Sequence, residues 1–161
     1  MLRRPLASCG VRGTGCARFV ALLALAAVLT GCGGSAYTKR DFIARADAIC
    51  AGALRQTRSI PAGTDLASYL SDVLPVIQSE ADQLRALRRP PGTARDRATL
   101  NQYFAALGQT VSDYRRLAAA ATTGDQGAVA SAEAALAASP LESLAASYGL
   151  RSCGAPSATV A

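Results

Sequence analysis

Histidine is absent from this 161-residue chain, and five cysteines take its place as the residues able to do chemistry. Without imidazole there is no His-based acid–base relay, no Ser-His triad and no imidazole metal site. Two cysteines without a histidine partner also make a poor zinc site. The carboxylates are scattered singly. Glu80 and Asp82 come nearest to a pair, but two positions apart on a helix they point to different faces. They read as solvated charges. The glycines stand alone or in small-residue turns, with no pattern that cradles phosphate. No catalytic residue, cofactor or metal is therefore expected. Tyr69, Tyr103, Tyr114 and Tyr148 either line an apolar ligand pocket or are core residues with the hydroxyl at the rim. The chemistry that remains belongs to thiols and to a group of arginines.

Cys32 has the most informative surroundings. Arg3, Arg4, Arg12 and Arg18 lead into an apolar run from Phe19 to Leu29, and no acidic residue precedes Asp41. This is the basic n-region and short apolar h-region of an export signal. Its 11 residues fall well short of the roughly 20 that span a bilayer. A buried core helix seldom starts with an unmixed basic leader. A cleaved soluble signal would not need Leu29-Thr30-Gly31-Cys32, a quartet that resembles the bacterial lipobox. Residues 1–31 are read as a lipoprotein signal peptide, and Cys32 as the lipidated first residue of the mature chain. Arg3-Arg4 lacks the surroundings of a twin-arginine signal, so ordinary secretion is expected. Each buried methylene adds about 0.8 kcal/mol of membrane binding, and one chain holds only marginally. Several acyl chains on Cys32 would make release negligible. The expected partner is thus membrane lipid, and the expected location the extracytoplasmic face of the cell membrane.

Export changes the arithmetic of charge and thiols. The precursor has 17 basic and 11 acidic residues, a net +6, and loss of the four leader arginines leaves 13 against 11. The high pI is then a property of the signal, not a nucleic-acid footprint. Cys9 and Cys16 leave with the signal and Cys32 is taken by lipid. Cys50 and Cys153 remain as one pair in an oxidising compartment. Two buried free thiols are the alternative.

The elements that must position these residues read as helices. Ala and Leu dominate and are the strongest helix formers; no strand alternation and no repeat is visible. A tether, 32–37, leads into a helical domain over 38–153, followed by a flexible tail, 154–161. Phe42, Ala46, Ile49, Ala53 and Ile60 mark one helical face, widened by Ile43, Cys50 and Leu54. Pro61-Ala62-Gly63 ends that helix, and Thr64 is the expected cap of the next, with Asp65 in its first turn. Leu66, Leu70, Val73, Ile77, Leu84 and Leu87 form the second stripe, with a kink expected at Pro75. After Arg89-Pro90-Pro91-Gly92, Thr93 caps a third helix, whose face is Leu100, Phe104, Leu107, Val111, Tyr114, Ala118 and Ala121, with Tyr103 and Leu117 beside it. Gly124 stops it, and Asp125 caps a fourth with Val129, Ala132 and Leu136 inward. Ser139-Pro140-Leu141-Glu142 predicts a capping box and a restart, and Gly149-Leu150 a Schellman stop.

Short connections favour antiparallel neighbours. The expected fold is all-α, an up-down four-helix bundle with a broken last helix. One tension follows. Cys50 lies midway along the first helix and Cys153 beyond the last, yet a disulfide needs Cα atoms within roughly 7 Å. A turn of the last short helix, after the break, would carry the tail back up the first.

Arg85, Arg88, Arg89, Arg95 and Arg97 flank the Pro90-Pro91 turn. An up-down bundle puts that turn at the end where the lipidated chain enters, so this patch is expected to face the membrane. Each arginine near an anionic surface contributes about 1 kcal/mol, enough to orient an anchored domain. A solvated turn and a binder of acidic envelope polymer are the competing readings.

Phe42-Ile43-Ala44-Arg45-Ala46-Asp47-Ala48-Ile49-Cys50, the Leu84-Arg85-Ala86-Leu87 stretch before Pro90-Pro91, and the closing Gly149-Leu150 with Cys153 are together similar to small secreted actinobacterial lipoproteins of unknown function. The resemblance implies a helical domain and a Cys50–Cys153 pair, and carries over no activity. The expected role is a non-enzymatic interaction or scaffold module of the cell envelope, with an envelope protein as its partner. The alternative is small-molecule or lipid binding in a cavity between helices.

Overall fold

Five helices and no strand make up the described residues, 36–61 and 65–153, of the computed structural model. Residues 1–35, on which the expected signal peptide, Cys32 and most of the tether fall, residues 62–64 and the tail from 154 lie outside them. The helices are α1 (Lys39–Ser59), α2 (Leu66–Ala86), α3 (Ala94–Thr123), α4 (Gln126–Ala137) and α5 (Leu141–Tyr148). The all-α expectation holds.

Each of the first four helices begins on a side-chain cap that satisfies an otherwise orphaned N–H. Thr38 with Asp41, and Thr93 with Asp96, form reciprocal capping boxes. Asp65 and Asp125 accept from Ser68 and Ala128. The cap of α2 is thus Asp65, one residue later than expected. The capping box expected at Ser139 does not form: Pro140 holds the cap position without a side-chain bond. The Ser139 hydroxyl lies 2.9 Å from that of Thr110 on α3 and also accepts from Leu141 N–H at 3.4 Å. A cross-helix partner thus shares the group that also serves the local turn.

α3 is the spine. It packs against α2, α4 and α5, while α1 packs on α2. α2 runs antiparallel to α3, with Leu70 beside Leu117 towards one end and Arg85 beside Gly108 towards the other. α4 and α5 together descend the opposite side of α3. Val129 and Ala132 meet Leu117 and Ala120, Ser139 meets Thr110, and Tyr148 comes beside Leu100. The fourth position of the bundle is one helical path, broken at Ser139-Pro140. α2 passes through Pro75 unbroken. Pro75 and Ser71 both face solvent, where water can satisfy the carbonyl that proline leaves without its donor.

The core divides into two clusters. The larger gathers Phe42, Cys50, Val73, Ile77, Leu84, Tyr103, Leu107 and Tyr148; the smaller holds Leu70, Leu117, Ala120, Val129 and Ala132. On α1 and α3 the buried face is rotated from the expected stripe. α1 buries Phe42, Ala46, Cys50 and Thr57, with Ile49 and Ala53 at the margin. α3 buries Tyr103 and Leu117, and leaves Phe104 and Tyr114 half-exposed. It also buries Asp113, whose carboxylate accepts from Gln109 at 3.1 Å and pairs with Arg116.

The disulfide is formed, joining Cys50 and Cys153 with Cα atoms 5.0 Å apart. The height mismatch is resolved by Gly149, not by a turn of the last helix itself. Gly149 takes φ 104°, a left-handed conformation that suits glycine. Leu150 N–H then donates to the Ala145 carbonyl at 2.9 Å, closing the predicted Schellman turn. The chain reverses there. Asp47 Oδ1 accepts from Arg151 N–H at 2.8 Å and Ser152 N–H at 2.9 Å, guiding the segment along α1 to Cys50.

Candidate functional site

The α2–α3 connection and the start of α1 meet at one end of the bundle. Pro90 and Pro91 cannot extend α2, and Pro90 is buried. The following Thr93 cap then launches α3.

Around this corner the structure assembles cations with aromatic rings. The Arg89 guanidinium lies 3.5 Å from the Phe104 ring centroid. Tyr37 sits under two cations, Arg45 at 5.2 Å and Arg88 at 5.8 Å. Lys39 Nζ is 4.5 Å from the Tyr148 centroid and 2.6 Å from Asp96 Oδ1. Arg97 donates to the Gly92 carbonyl at 2.6 Å. Such contacts contribute about 0.5–1 kcal/mol each at exposed sites.

Three of the five arginines singled out in the sequence, Arg88, Arg89 and Arg97, are therefore built into this corner. Arg95 is exposed on the first turn of α3. Arg85 lies further along α2, paired with Asp82 at 3.2 Å. The sequence reading missed Tyr37, Lys39 and Arg45. Tyr37 stood in the presumed tether, and nothing local marked Lys39 and Arg45 as neighbours of residues fifty positions on.

The two carboxylates at this corner are held in their charged form. Asp96 is held down to about 2 by hydrogen bonds from Lys39 and Thr93. Asp41 is lowered by its bonds to Thr38. Both carboxylates are thereby committed to caps, and Asp96 to Lys39 as well. Burial lowers the Arg89 guanidinium, while the nearby Tyr148 phenol acts the other way. Burial, with Asp96 nearby, pushes the Tyr148 phenol up. A cavity of about 120 Å³ opens here, lined by Arg89, Gly92, Asp96, Arg97, Asn101 and Tyr148.

Two other grooves carry different chemistry. Between α1 and α2 lies one of about 400 Å³ with Ile49, Gly52, Gln56, Val76, Glu80 and Gln83 on its walls. Glu80 is half-buried and pushed up to about 7 by desolvation. It is not the solvated charge the sequence implied, whereas Asp82, pointing elsewhere, is exposed. The phenol of Tyr103 is buried, not at the rim, and has no hydrogen-bond partner among the described residues. Between α3 and α4 a groove of about 430 Å³ is lined mainly by alanines.

Among the described residues there is no cluster of three or more His, Cys, Asp or Glu placed to hold a metal ion. No described helix is long and apolar enough to cross a membrane. No protein-family model matches the chain, and neither a curated protein nor a solved structure does.

Proposed function

We propose that this chain is an extracytoplasmic lipoprotein held to the cell membrane by acyl chains on Cys32. Its helical domain serves as a non-enzymatic interaction or scaffold module of the envelope, with the basic corner turned to the lipid. The supporting observation is the docking of Tyr37 beneath Arg45 and Arg88. Tyr37 follows Cys32 by five positions, a span of at most about 18 Å when extended. A chain anchored at Cys32 would thus keep Arg88, Arg89, Arg95 and Arg97 close to the headgroups. At about 1 kcal/mol per arginine, the patch would orient the domain and leave its flanks open to a protein partner.

Replacing Cys32 by alanine tests the anchor. Acyl labelling should vanish and the protein should leave the membrane fraction; normal processing with full membrane retention would overturn the reading. In-cell crosslinking followed by purification should recover an envelope protein reproducibly. A second reading, small-molecule or lipid binding between helices, has the α1–α2 groove beside Glu80 in its favour.

A further inference from the structure

We infer that the cavity beneath the α2–α3 connection, between Arg89, Arg97, Asn101 and Tyr148, receives the phosphate of an anionic phospholipid headgroup. This rests on the orientation proposed above, and it names one lipid site where that reading needs only a diffuse patch.

The donors are in place and unspent. Tyr148 is 3 % exposed, lines the cavity, and its hydroxyl makes no hydrogen bond among the described residues. A phenol keeps its proton at neutral pH and can donate it to a phosphate oxygen. Arg89 is stacked on Phe104 and has no carboxylate within ion-pair distance among the described residues. Its planar fork matches two phosphate oxygens. Arg97 uses one nitrogen on Gly92 and keeps the rest of its guanidinium. The Asn101 amide is exposed at the wall.

The one carboxylate on the wall does not forbid an anion. Asp96 Oδ1 is taken by Lys39, and Oδ2 by the Thr93 N–H and hydroxyl. With Lys39 answering Asp96, Arg89 and Arg97 leave a local excess of positive charge. The first turn of α3, a helix of 30 residues, adds its positive dipole end at the same wall. The cavity volume of about 120 Å³ suits a phosphate group, while the acyl chains of its lipid would remain outside in the bilayer.

The test is calorimetric titration of the full lipidated protein in neutral detergent. The probes are dihexanoyl phosphatidylglycerol, dihexanoyl phosphatidylcholine and inorganic phosphate. Saturable binding of phosphatidylglycerol is expected, much tighter than that of the other two. Arg89→Gln and Arg97→Gln should each weaken it about tenfold or more, as loss of a charged hydrogen bond implies. Tyr148→Phe keeps the packing and should weaken it about threefold to tenfold, while Arg95→Gln should change it less than about twofold. Absence of saturable binding, or equal loss from Arg95→Gln and Arg89→Gln, would overturn the site and leave a diffuse patch. Equal binding of phosphatidylcholine would remove the preference for an anionic lipid. Saturation by inorganic phosphate alone, sensitive to the same substitutions, would make a free phosphate the ligand instead. Retention of phosphatidylglycerol binding by a Cys32→Ala protein that still resides in the membrane would sink the anchor and spare the cavity.

Discussion

The two ends of this bundle are built on different principles. At the corner where α1 begins and α2 meets α3, the chain concentrates bulky rings, cations and the approach to its disulfide. Phe42 meets Tyr148 edge-on with centroids 5.8 Å apart, and Lys39, Arg88 and Arg89 cover aromatic faces. At the far end, where α3 turns into α4, the buried contact is Leu and Val on Ala, with Tyr69 and Tyr114 packed at its margin. There the turn is held by Gly124 and by the Asp125 cap. Small side chains let α3 and α4 approach closely, but each buries little area and carries no reactive group. The difference teaches that the bulky rings and the cations have been placed together at one end.

Core truncations should show the contrast most strongly. Phe42 is fully buried, and Phe42→Ala should cost about 3–5 kcal/mol. Val129→Ala, in the small cluster, should cost about 1–2 kcal/mol. Urea unfolding of both variants measures the gap, and equal losses would break the distinction between the two ends.

Removing the crosslink comes next. Cys50 and Cys153 are separated by 103 positions, and a loop near that length is worth about 4.7 kcal/mol at the chain-entropy limit. We expect about 2–4 kcal/mol from the double serine variant, since measured values run lower. Hydrogen exchange should then quicken in α1 and over 149–153 while α4 keeps its protection. Uniform loosening of all five helices would show that the clasp serves the whole fold and not one end.

The smallest effect compares two left-handed glycines, one at each end. A Cβ on Gly149 would come within 3.3 Å of Ile43 Cδ1, whereas one on Gly124 meets nothing within 4 Å. Gly124→Ala should cost about 1 kcal/mol, the backbone penalty alone. Gly149→Ala should cost about 2 kcal/mol, because Ile43 must also yield. Thermal melts of the two variants settle the order, and a costlier Gly124→Ala would reverse the comparison.

Local signals in the chain were read well where the physics is local. Thr93, Gly124, Asp125 and Gly149-Leu150 act as read, because capping and left-handed turns depend on a few consecutive residues. Failures came where a distant partner intervened. Ser139 is shared with Thr110 and no capping box forms, and Glu80 is half-buried in the α1–α2 groove. The faces of α1 and α3 were read about one position away from the centres that neighbouring helices chose. In Ala-rich helices many positions are small enough to face either way, so periodicity leaves the rotation loose. Half of the candidate site was visible as a run of arginines. The other half, Tyr37, Lys39 and Tyr148, came from segments with no sequence signal joining them to that run.

By itself the amino-acid order determined the helical class and where most of the helices start and stop. These follow from propensity and capping, which need no partner across space. Only the tertiary structure decided which arginines share a cavity, how Cys153 regains the level of Cys50, and which phenols are buried without a bond. Those outcomes depend on helix rotation and on one reversal at Gly149, both set by packing between residues as much as a hundred positions apart.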